Sequence, residues 1–230
     1  MKILRVDNRK LERAFLDFPR HLYRKDHNYV LPFDSEIRKV FDREVNPHFR
    51  HGDARRWIVV NEKGKTLGRI AAFYDRDKDH SEEIKSGGCG YFESVADRQV
   101  ATLLFDTARD WLADQGYEAM DGPVNFGEND TNWGCLVQGF QAPVIGMTYN
   151  LPYYMALFED YGFRLYYRQL SFQIDLSKPF PERFWKIAGW IRQRKGYTYR
   201  HFDPKDVDRF VNDTVSIYNE AWSRMREDYT

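Results

Sequence analysis

A cluster of carboxylate and amide side chains follows the second of two predicted strands in the middle of the chain. Its members are Glu128, Asn129 and Asp130, with Asn125, Asn132 and Trp133 beside them. Loops that leave the carboxyl ends of strands in α/β sheets often hold ligands. Asp130 is therefore a candidate for catalysis, and Asn125, Glu128, Asn129 and Trp133 are candidates for substrate binding. Asn, Asp and Gly also form ordinary turns, so a purely structural role stays open.

A second candidate site is the start of a helix predicted over residues 98–115. Asp97 can cap this helix, and the backbone N–H groups of residues 96–99 have no partner within it. Such unpaired N–H groups, together with the helix dipole, suit an anion.

The sequence offers little for thiol or metal chemistry. Cys89 and Cys135 lie near glycines and have no neighbouring histidine, which indicates unreactive, reduced thiols. His48 and His51 with Asp53 have a loose metal-ligand spacing but lack a third ligand at a telling position. We interpret this segment as a solvated loop and predict no metal site.

The elements that must position these residues form a β-strand, a helix and a second strand. Residues 91–95 are a short apolar run behind a glycine-rich turn signal at 87–90, and residues 117–124 are again extended. The helix between them has apolar residues at steps of three and four, and Gly116 can end it in the left-handed conformation. This order predicts a βαβ unit.

Other elements follow from periodicity and turn residues. We predict a strand at 2–6, a helix at 9–23 that Pro19 breaks or kinks, and a short helix at 36–41. Residues 57–60 and 66–73 are predicted to form a hairpin. A helix is expected at 153–161, extended chain at 164–176, a helix at 184–194, a strand at 197–202 and a helix from 203 to about 222.

Composition limits the possible classes. The 230 residues contain 35 basic and 35 acidic side chains, and this balance argues against a nucleic-acid partner. No apolar run is long enough to span a membrane, so we expect no membrane partner. With two cysteines and no signal peptide at the start, we expect a cytoplasmic protein, and a homodimer is possible.

The chain resembles the GNAT N-acetyltransferase superfamily in its order of elements and in three segments. These are the hairpin at 61–71, the strand and helix at 91–116, and the helix at 154–161 that ends on Gly162 and Phe163. The whole chain is similar to an uncharacterised bacterial GNAT-like group with two such domains in tandem, whose hallmark stretches here are 121–126 and 149–154.

The resemblance implies a GNAT-like α/β fold, with a mixed central sheet flanked by helices, over residues 1–175. Residues 176–196 would be a linker and helix, and 197–230 the opening of a second similar domain, apparently truncated. A weak repeat supports this division, since residues 6–13 and 202–209 share a pattern of apolar residue, Asp, polar run, apolar residue, acid and Arg. A chance match remains open.

The resemblance also implies acyl transfer from acetyl-coenzyme A or another acyl-coenzyme A to an amine of a small molecule. Glu93 corresponds to a family base, although a carboxylate on an open strand face or paired with an arginine is the alternative. The coenzyme would lie along the first strand of the βαβ unit and the start of the helix that follows it. The residues implied are Phe92, Val95, Asp97, Arg98, Gln99, Val100 and Ala101. Tyr149 and Tyr153 are candidates for lining the substrate pocket, with packed aromatics as the alternative.

Two positions differ from the family pattern. The usual glycines are missing from the start of the helix, where the chain has Arg98 to Leu103. Phe158 stands where the family has a tyrosine acid, so Tyr154 or Tyr161 would have to replace it. These differences motivate an alternative function, a catalytically inactive GNAT-like module that binds a ligand or partner. A third, an aminoacyl-tRNA-dependent transferase, is disfavoured by the neutral charge.

Overall fold

The computed structural model describes residues 1–78, 84–127, 131, 133–198 and 200–222. The chain divides into two compact units, Met1–Arg164 and Leu165–Thr230. Every candidate site residue lies in the sequence of the first unit.

The first unit is built on a five-stranded mixed sheet whose strands lie side by side in chain order. The strands are β1 (Lys2–Arg5), β2 (Gly52–Val60), β3 (Thr66–Asp75), β4 (Ser86–Ser94) and β5 (Ala119–Asp121). Neighbours from β1 to β4 pair antiparallel, while β5 pairs parallel to β4. The predicted hairpin and the predicted βαβ unit are both confirmed.

Four helices accompany this sheet: α1 (Arg9–Leu22), α2 (Asp34–Val40), α3 (Arg98–Asp114) and α4 (Tyr154–Tyr161). Because side chains alternate along a strand, the sheet has two apolar faces. Trp57, Val59 and Ile70 lie in one core cluster with α3 and α4, and Ile58 and Val60 lie in another with α1 and α2. The predicted mixed sheet flanked by helices is confirmed.

The glycine run at 87–90 lies inside β4, so the turn predicted there is wrong. These glycines permit close packing instead. A Cβ on Gly88 would come within 2.3 Å of the Phe73 ring, and one on Gly90 within 1.9 Å of the Val124 carbonyl oxygen. The strand therefore begins earlier than its apolar residues indicate, because glycine is the side chain that its neighbours leave room for.

Helix α1 continues through Pro19, so the prediction of a break is wrong, while a kink at this position stays a prediction. Pro19 is buried within the helix. A proline has no N–H to donate to the carbonyl four residues earlier, which frees the Phe15 carbonyl. Arg69 Nη1 on β3 donates to that carbonyl oxygen at 2.9 Å. The proline thus provides an acceptor on the helix face that meets the sheet.

The ends of α3 and α4 are as predicted. The Asp97 side chain accepts a hydrogen bond from the Gln99 N–H at 2.8 Å and caps α3. Gly116 and Gly162, which follow α3 and α4, have φ values of 90° and 116° that favour glycine. Strand β5 is shorter than the predicted 117–124, although the Val124 N–H still donates to the Cys89 carbonyl of β4 at 2.8 Å.

The second unit contains α5 (Glu182–Gln193) and α6 (Val207–Trp222). No strand forms over 164–176, where extended chain is predicted, and none occurs among the described residues of 197–202, where a strand is predicted. Apolar side chains alternate at 165–176 but are exposed, because no strand of the described residues pairs with this segment. That this unit opens a second GNAT-like domain stays a prediction.

Candidate functional site

A buried carboxylate at the end of β4 is the centre of the candidate site. Glu93 is only 8% exposed. The hydroxyl groups of Tyr23, just after α1, and Tyr154, in α4, each donate to Glu93 Oε2 at 2.6 Å. The two hydroxyl oxygens are 3.5 Å apart. Three elements that are distant in sequence therefore converge on one carboxylate oxygen.

Arg69 on β3 faces the other oxygen of this carboxylate. It is paired with Glu93 across the two strands, and its Nη2 lies 3.7 Å from Glu93 Oε1. The Phe15 carbonyl holds Nη1, and the guanidinium lies 4.8 Å from the centre of the Phe15 ring. The arginine that the sequence left as an alternative partner of Glu93 is thus present, at a buried position.

A β-bulge lies next to this pair. Between Arg69 and Ala71 on β3 there is one residue, whereas two residues, Tyr91 and Phe92, separate Gly90 from Glu93 on β4. Tyr91 has a φ of 52°, which is uncommon for a residue with a side chain. Bulges redirect side chains, and this one brings Glu93 opposite Arg69.

Burial dominates the electrostatics of the cluster. Removal from water raises the pKa of Glu93 above its ordinary value, although Arg69 and the two tyrosine hydroxyls favour its charged form. The pKa of Tyr23 and that of Tyr154 are raised, first by burial and then by the Glu93 charge. The tyrosines are therefore neutral hydrogen-bond donors, and the carboxylate is the group suited to taking up a proton.

The structure distinguishes the two tyrosines that could replace Phe158. Tyr154 contacts Glu93, whereas the Tyr161 hydroxyl donates to Asp106 at 2.8 Å on α3. Phe158 itself is buried and packs on Phe92 at a ring distance of 5.1 Å. Tyr154 is thus the tyrosine of α4 that lies beside the candidate base.

Strand β4 extends beyond its pairing with β5. The last paired residues are Gly88 and Asp121, followed by one hydrogen bond from the Val124 N–H to the Cys89 carbonyl. At the end of β4, the Ser94 N–H donates to the Tyr154 hydroxyl at 3.0 Å, and the Tyr153 hydroxyl donates to the Ser94 carbonyl at 2.6 Å. The hydroxyl groups of Tyr153 and Tyr154 thus form hydrogen bonds with the backbone of β4 beyond the residues that pair with β5.

Further aromatic side chains adjoin the cluster. Tyr29 stacks on Tyr23 with ring centres 3.9 Å apart, and Tyr149 lies 6.0 Å from both rings. The Tyr149 hydroxyl donates to Asp26 at 2.7 Å, and its pKa is raised to about 12, chiefly by desolvation. Tyr149 and Tyr153 are thus near the candidate base, in the region where the sequence predicted a pocket wall.

The predicted coenzyme residues divide into exposed and buried groups. Arg98 and Gln99 are exposed, and Arg98 Nη2 lies 2.7 Å from Asp160 Oδ2. Phe92, Val100 and Ala101 are core side chains, and Val95 packs against that core. A ligand at this end of α3 would therefore meet backbone N–H groups and polar side chains, with the Asp97 carboxylate already bound to one of those N–H groups.

The polar loop after β5 is described only in part. Glu128, Asn129, Asp130 and Asn132 lie outside the described residues. Asn125 is buried and accepts from the Tyr91 hydroxyl at 2.8 Å. The Trp133 carbonyl accepts from the Thr148 hydroxyl at 2.6 Å.

The two histidines of the loose metal pattern contact separate carboxylates. His48 Nδ1 lies 2.6 Å from Asp75, and His51 Nδ1 lies 3.2 Å from Asp77. Within the described ranges, no group of three metal-ligating side chains comes together. Cys89 is fully buried, and burial raises the pKa of its thiol.

Sequence reasoning missed Tyr23, Tyr29 and Arg69 as site residues. A signal existed for Arg69, which is a lone charge beside the apolar stretch at 70–73. Tyr23 is the last residue of the helix predicted at 9–23 and gave no signal of its own. Pro19 indicated a broken helix instead of a site. Its role in freeing the Phe15 carbonyl can be recognised only when Arg69 of β3 is seen to bind that carbonyl.

Known proteins that resemble the chain include two curated bacterial proteins. The bacterial ceramide synthase of Caulobacter vibrioides is 27% identical over 220 residues, which cover 92% of this chain and 55% of that protein. Protein YghO of Escherichia coli K12 is 31% identical over 152 residues, or 66% of this chain and 38% of that protein. The chain thus spans about half the length, or less, of the curated relatives it matches. No protein-family model matches it.

Two solved structures are also similar. A Pyrococcus furiosus protein assigned as an acetyl transferase has a TM-score of 0.44 and 12% identity, covering 75% of this chain and all of that one. A GNAT-family acetyltransferase of Staphylococcus aureus Mu50 has a TM-score of 0.38 and 11% identity, covering 54% of this chain and 72% of that one. Likeness at this level is too weak to decide the family.

Proposed function

We propose that the chain is part of a GNAT-type N-acyltransferase that moves an acyl group from acyl-coenzyme A to an amine. The observation that carries this proposal is the buried Glu93 carboxylate with the Tyr23 and Tyr154 hydroxyls 2.6 Å from one of its oxygens. The group lies at the end of β4, beyond the point where the parallel strand β5 leaves it.

The proposed chemistry needs a proton acceptor. The amine nitrogen attacks the thioester carbonyl carbon, a C–N bond forms, the C–S bond breaks, and the amine loses a proton. Glu93 takes that proton, directly or through the Tyr23 or Tyr154 hydroxyl that bonds to it. A carboxylate of raised pKa is a better base near neutral pH than an ordinary one. The leaving thiolate takes a proton from Tyr154 or from water.

The acyl donor would use the start of α3. Its backbone N–H groups and helix dipole attract the pyrophosphate of coenzyme A, and burial of the Val100 and Ala101 side chains does not obstruct backbone contacts. Arg98 adds an exposed positive charge at the same end. The thioester arm would extend from there between β4 and β5, toward Glu93.

The acceptor is the less defined substrate. A ceramide is a long-chain amino alcohol with an acyl group on its nitrogen, so a ceramide synthase makes an amide from an amine. Over 92% of its own length, the chain is 27% identical to a bacterial ceramide synthase. We therefore extend the small-molecule amine to include long-chain amino alcohols, and the acyl group to include chains longer than acetyl.

Two measurements test the proposal. Calorimetric titration with acetyl- and long-chain acyl-coenzyme A should give saturable binding. Incubation of the chain with the same thioesters and a panel of amines, including a long-chain amino alcohol, should give an amide product and free thiol detected by mass spectrometry. The proposal would be refuted if no thioester bound to the chain and none gave an amide product.

A second candidate function is a non-catalytic ligand-binding module. It is favoured by the engagement of both Ser94 backbone groups by Tyr153 and Tyr154, and by the Asp97 carboxylate at the anion-binding end of α3. This candidate predicts a ligand but no turnover with any amine. It also predicts that Glu93→Gln leaves binding unchanged.

A further inference from the structure

Helix α5 presents an apolar face whose side chains stay largely exposed among the described residues. Phe184, Ile187 and Ile191 recur at steps of three and four and therefore share one face. They are 51%, 45% and 41% exposed. At 12 residues the helix is well short of the roughly 20 that a membrane-spanning helix needs. In the described part of the chain, no helix combines the length and apolar character required to cross a bilayer.

Tryptophans and basic residues frame this face. At 100° per residue, Trp190 lies about 90° from the centre of the apolar stripe on one side and Trp185 lies about 130° from it on the other, and both are exposed. Residues 182–195 contain five basic side chains and one acidic side chain. Lys186 lies opposite the stripe, where its Nζ is 3.4 Å from Glu182, and the Arg194 guanidinium lies 4.4 Å from the Trp190 ring centre.

We propose that α5 binds the surface of an anionic lipid bilayer, with Phe184, Ile187 and Ile191 inserted at the boundary between headgroups and acyl chains. A helix with an apolar face and a basic polar face lies in that interface. The positive charge of the helix complements anionic headgroups, which gives the bilayer as the occupant of this face. The expectation of no membrane partner rested on the absence of a membrane-spanning segment, and it does not apply to a helix that lies on the membrane surface.

Neither acyl transfer nor Glu93 enters this inference. The two proposals agree, because long-chain amines and their acylated products reside in bilayers. Each can nevertheless fail alone: a chain without transferase activity could still bind vesicles, and an active chain could ignore them.

Vesicle flotation with the 230-residue protein tests the inference. The probes are vesicles of phosphatidylcholine containing phosphatidylglycerol, and vesicles of phosphatidylcholine alone. We expect the protein to float with the anionic vesicles, to bind the neutral ones at least about fivefold more weakly, and to be released by salt. Binding to neither kind of vesicle would overturn the inference.

Matched variants locate the contact. Ile187→Glu places a charge in the apolar stripe and should weaken binding to anionic vesicles by about tenfold or more. Ile145→Glu makes the same change at a fully exposed loop residue of the first unit and should bind as wild type does. Arg192→Glu, which leaves the stripe intact, should weaken binding by about fivefold or more. Equal binding by Ile187→Glu and Ile145→Glu would overturn the inference.

Gel filtration without lipid distinguishes the other occupant. We expect the wild-type protein and Ile187→Glu to elute at the same position. A wild-type oligomer that Ile187→Glu dissociates would assign the face to a second copy of the chain and overturn the bilayer proposal.

Discussion

Glu93 and Asp97 are four residues apart, yet their carboxylates lie in opposite environments. Glu93 is buried, bonded to two tyrosine hydroxyls and opposite an arginine with a buried side chain. Asp97 lies at the partly exposed start of α3 and accepts from a single backbone N–H. Burial raises the pKa of the first carboxyl group, whereas the second acts as a helix cap.

This difference separates two tasks that the proposed enzyme must perform. The buried end of β4 has the groups for proton transfer, and its geometry depends on three distant segments. The start of α3, where we propose that the phosphates of the coenzyme bind, depends mostly on local chain. Substitutions in the first region should therefore affect stability and turnover, and substitutions in the second should affect coenzyme affinity.

The largest expected effect concerns the two arginine–carboxylate pairs of these regions. Arg69→Met leaves the Glu93 charge and the Phe15 carbonyl without their buried partner, so we expect a loss of about 3–5 kcal/mol in the free energy of unfolding. Arg98→Met removes the exposed pair with Asp160 and should cost about 0–1 kcal/mol. Urea denaturation measures both. Equal losses for the two variants would contradict the contrast between buried and exposed pairs.

A smaller effect is expected from the two tyrosines of α4. Tyr154→Phe leaves the Ser94 N–H buried without its partner and removes one donor to Glu93, which should cost about 1–3 kcal/mol. Tyr161→Phe, the matched control, removes the hydrogen bonds of the Tyr161 hydroxyl with Asp106 and Arg109 at the more exposed α3 face and should cost about 0.5–1.5 kcal/mol. Thermal and urea unfolding of both variants check this order. A Tyr161→Phe loss as large as that of Tyr154→Phe would reverse it.

The pH dependence of stability gives a third contrast. The pKa of Glu93 is raised in the folded state. When the pH rises above 4.5, the ordinary pKa of a glutamate, the unfolded chain therefore releases the Glu93 proton while the folded protein retains it. The free energy of unfolding should therefore fall as pH rises above that value, until the pH passes the folded pKa.

Glu93→Gln removes this dependence, so the stability difference between the variant and wild type should shift in favour of the variant as pH rises. Urea denaturation across this pH range measures it. Glu62→Gln, in the exposed β2–β3 turn, controls for the loss of a surface charge. Curves for wild type and Glu93→Gln that stay parallel would show that Glu93 does not titrate as its burial requires.

The smallest expected effect lies at the start of α3. Asp97→Asn keeps a capping side chain but removes a negative charge from the proposed phosphate site. We expect acyl-coenzyme A to bind about two- to fivefold more tightly, as the usual strength of charge–helix interactions implies. Calorimetry measures the affinity. Unchanged or weaker binding by a stably folded Asp97→Asn would place the phosphates elsewhere.

Much of the scaffold followed from local sequence signals. The hairpin, the βαβ unit and the ends of α3 and α4 were predicted because periodicity, capping residues and left-handed glycines act over a few residues. The glycines at 87–90 misled the prediction, since their function is to admit Phe73, Leu112 and Val124. The exposed segment at 165–176 also misled it, because alternation alone does not supply a pairing strand.

The candidate site was less predictable than the scaffold. Glu93 and Tyr154 were selected through the family resemblance, and the structure brings them together. Tyr23, Arg69 and the free carbonyl of Phe15 could not be found, because they meet only when α1 packs on β3 and β4. Pro19 shows this most clearly. In the sequence it indicates a broken helix, whereas in the structure it leaves the Phe15 carbonyl free to accept from Arg69.

The most direct test of the account compares amide formation by wild type and Glu93→Gln across pH. It uses an acyl-coenzyme A and an amine that wild type acylates. We predict that kcat/KM falls by about 10²–10⁴-fold in Glu93→Gln, the usual contribution of a general base, while calorimetric affinity for the thioester stays unchanged. A Glu93→Gln protein that binds the thioester and forms amide at the wild-type rate would contradict the assignment of Glu93 as the proton acceptor.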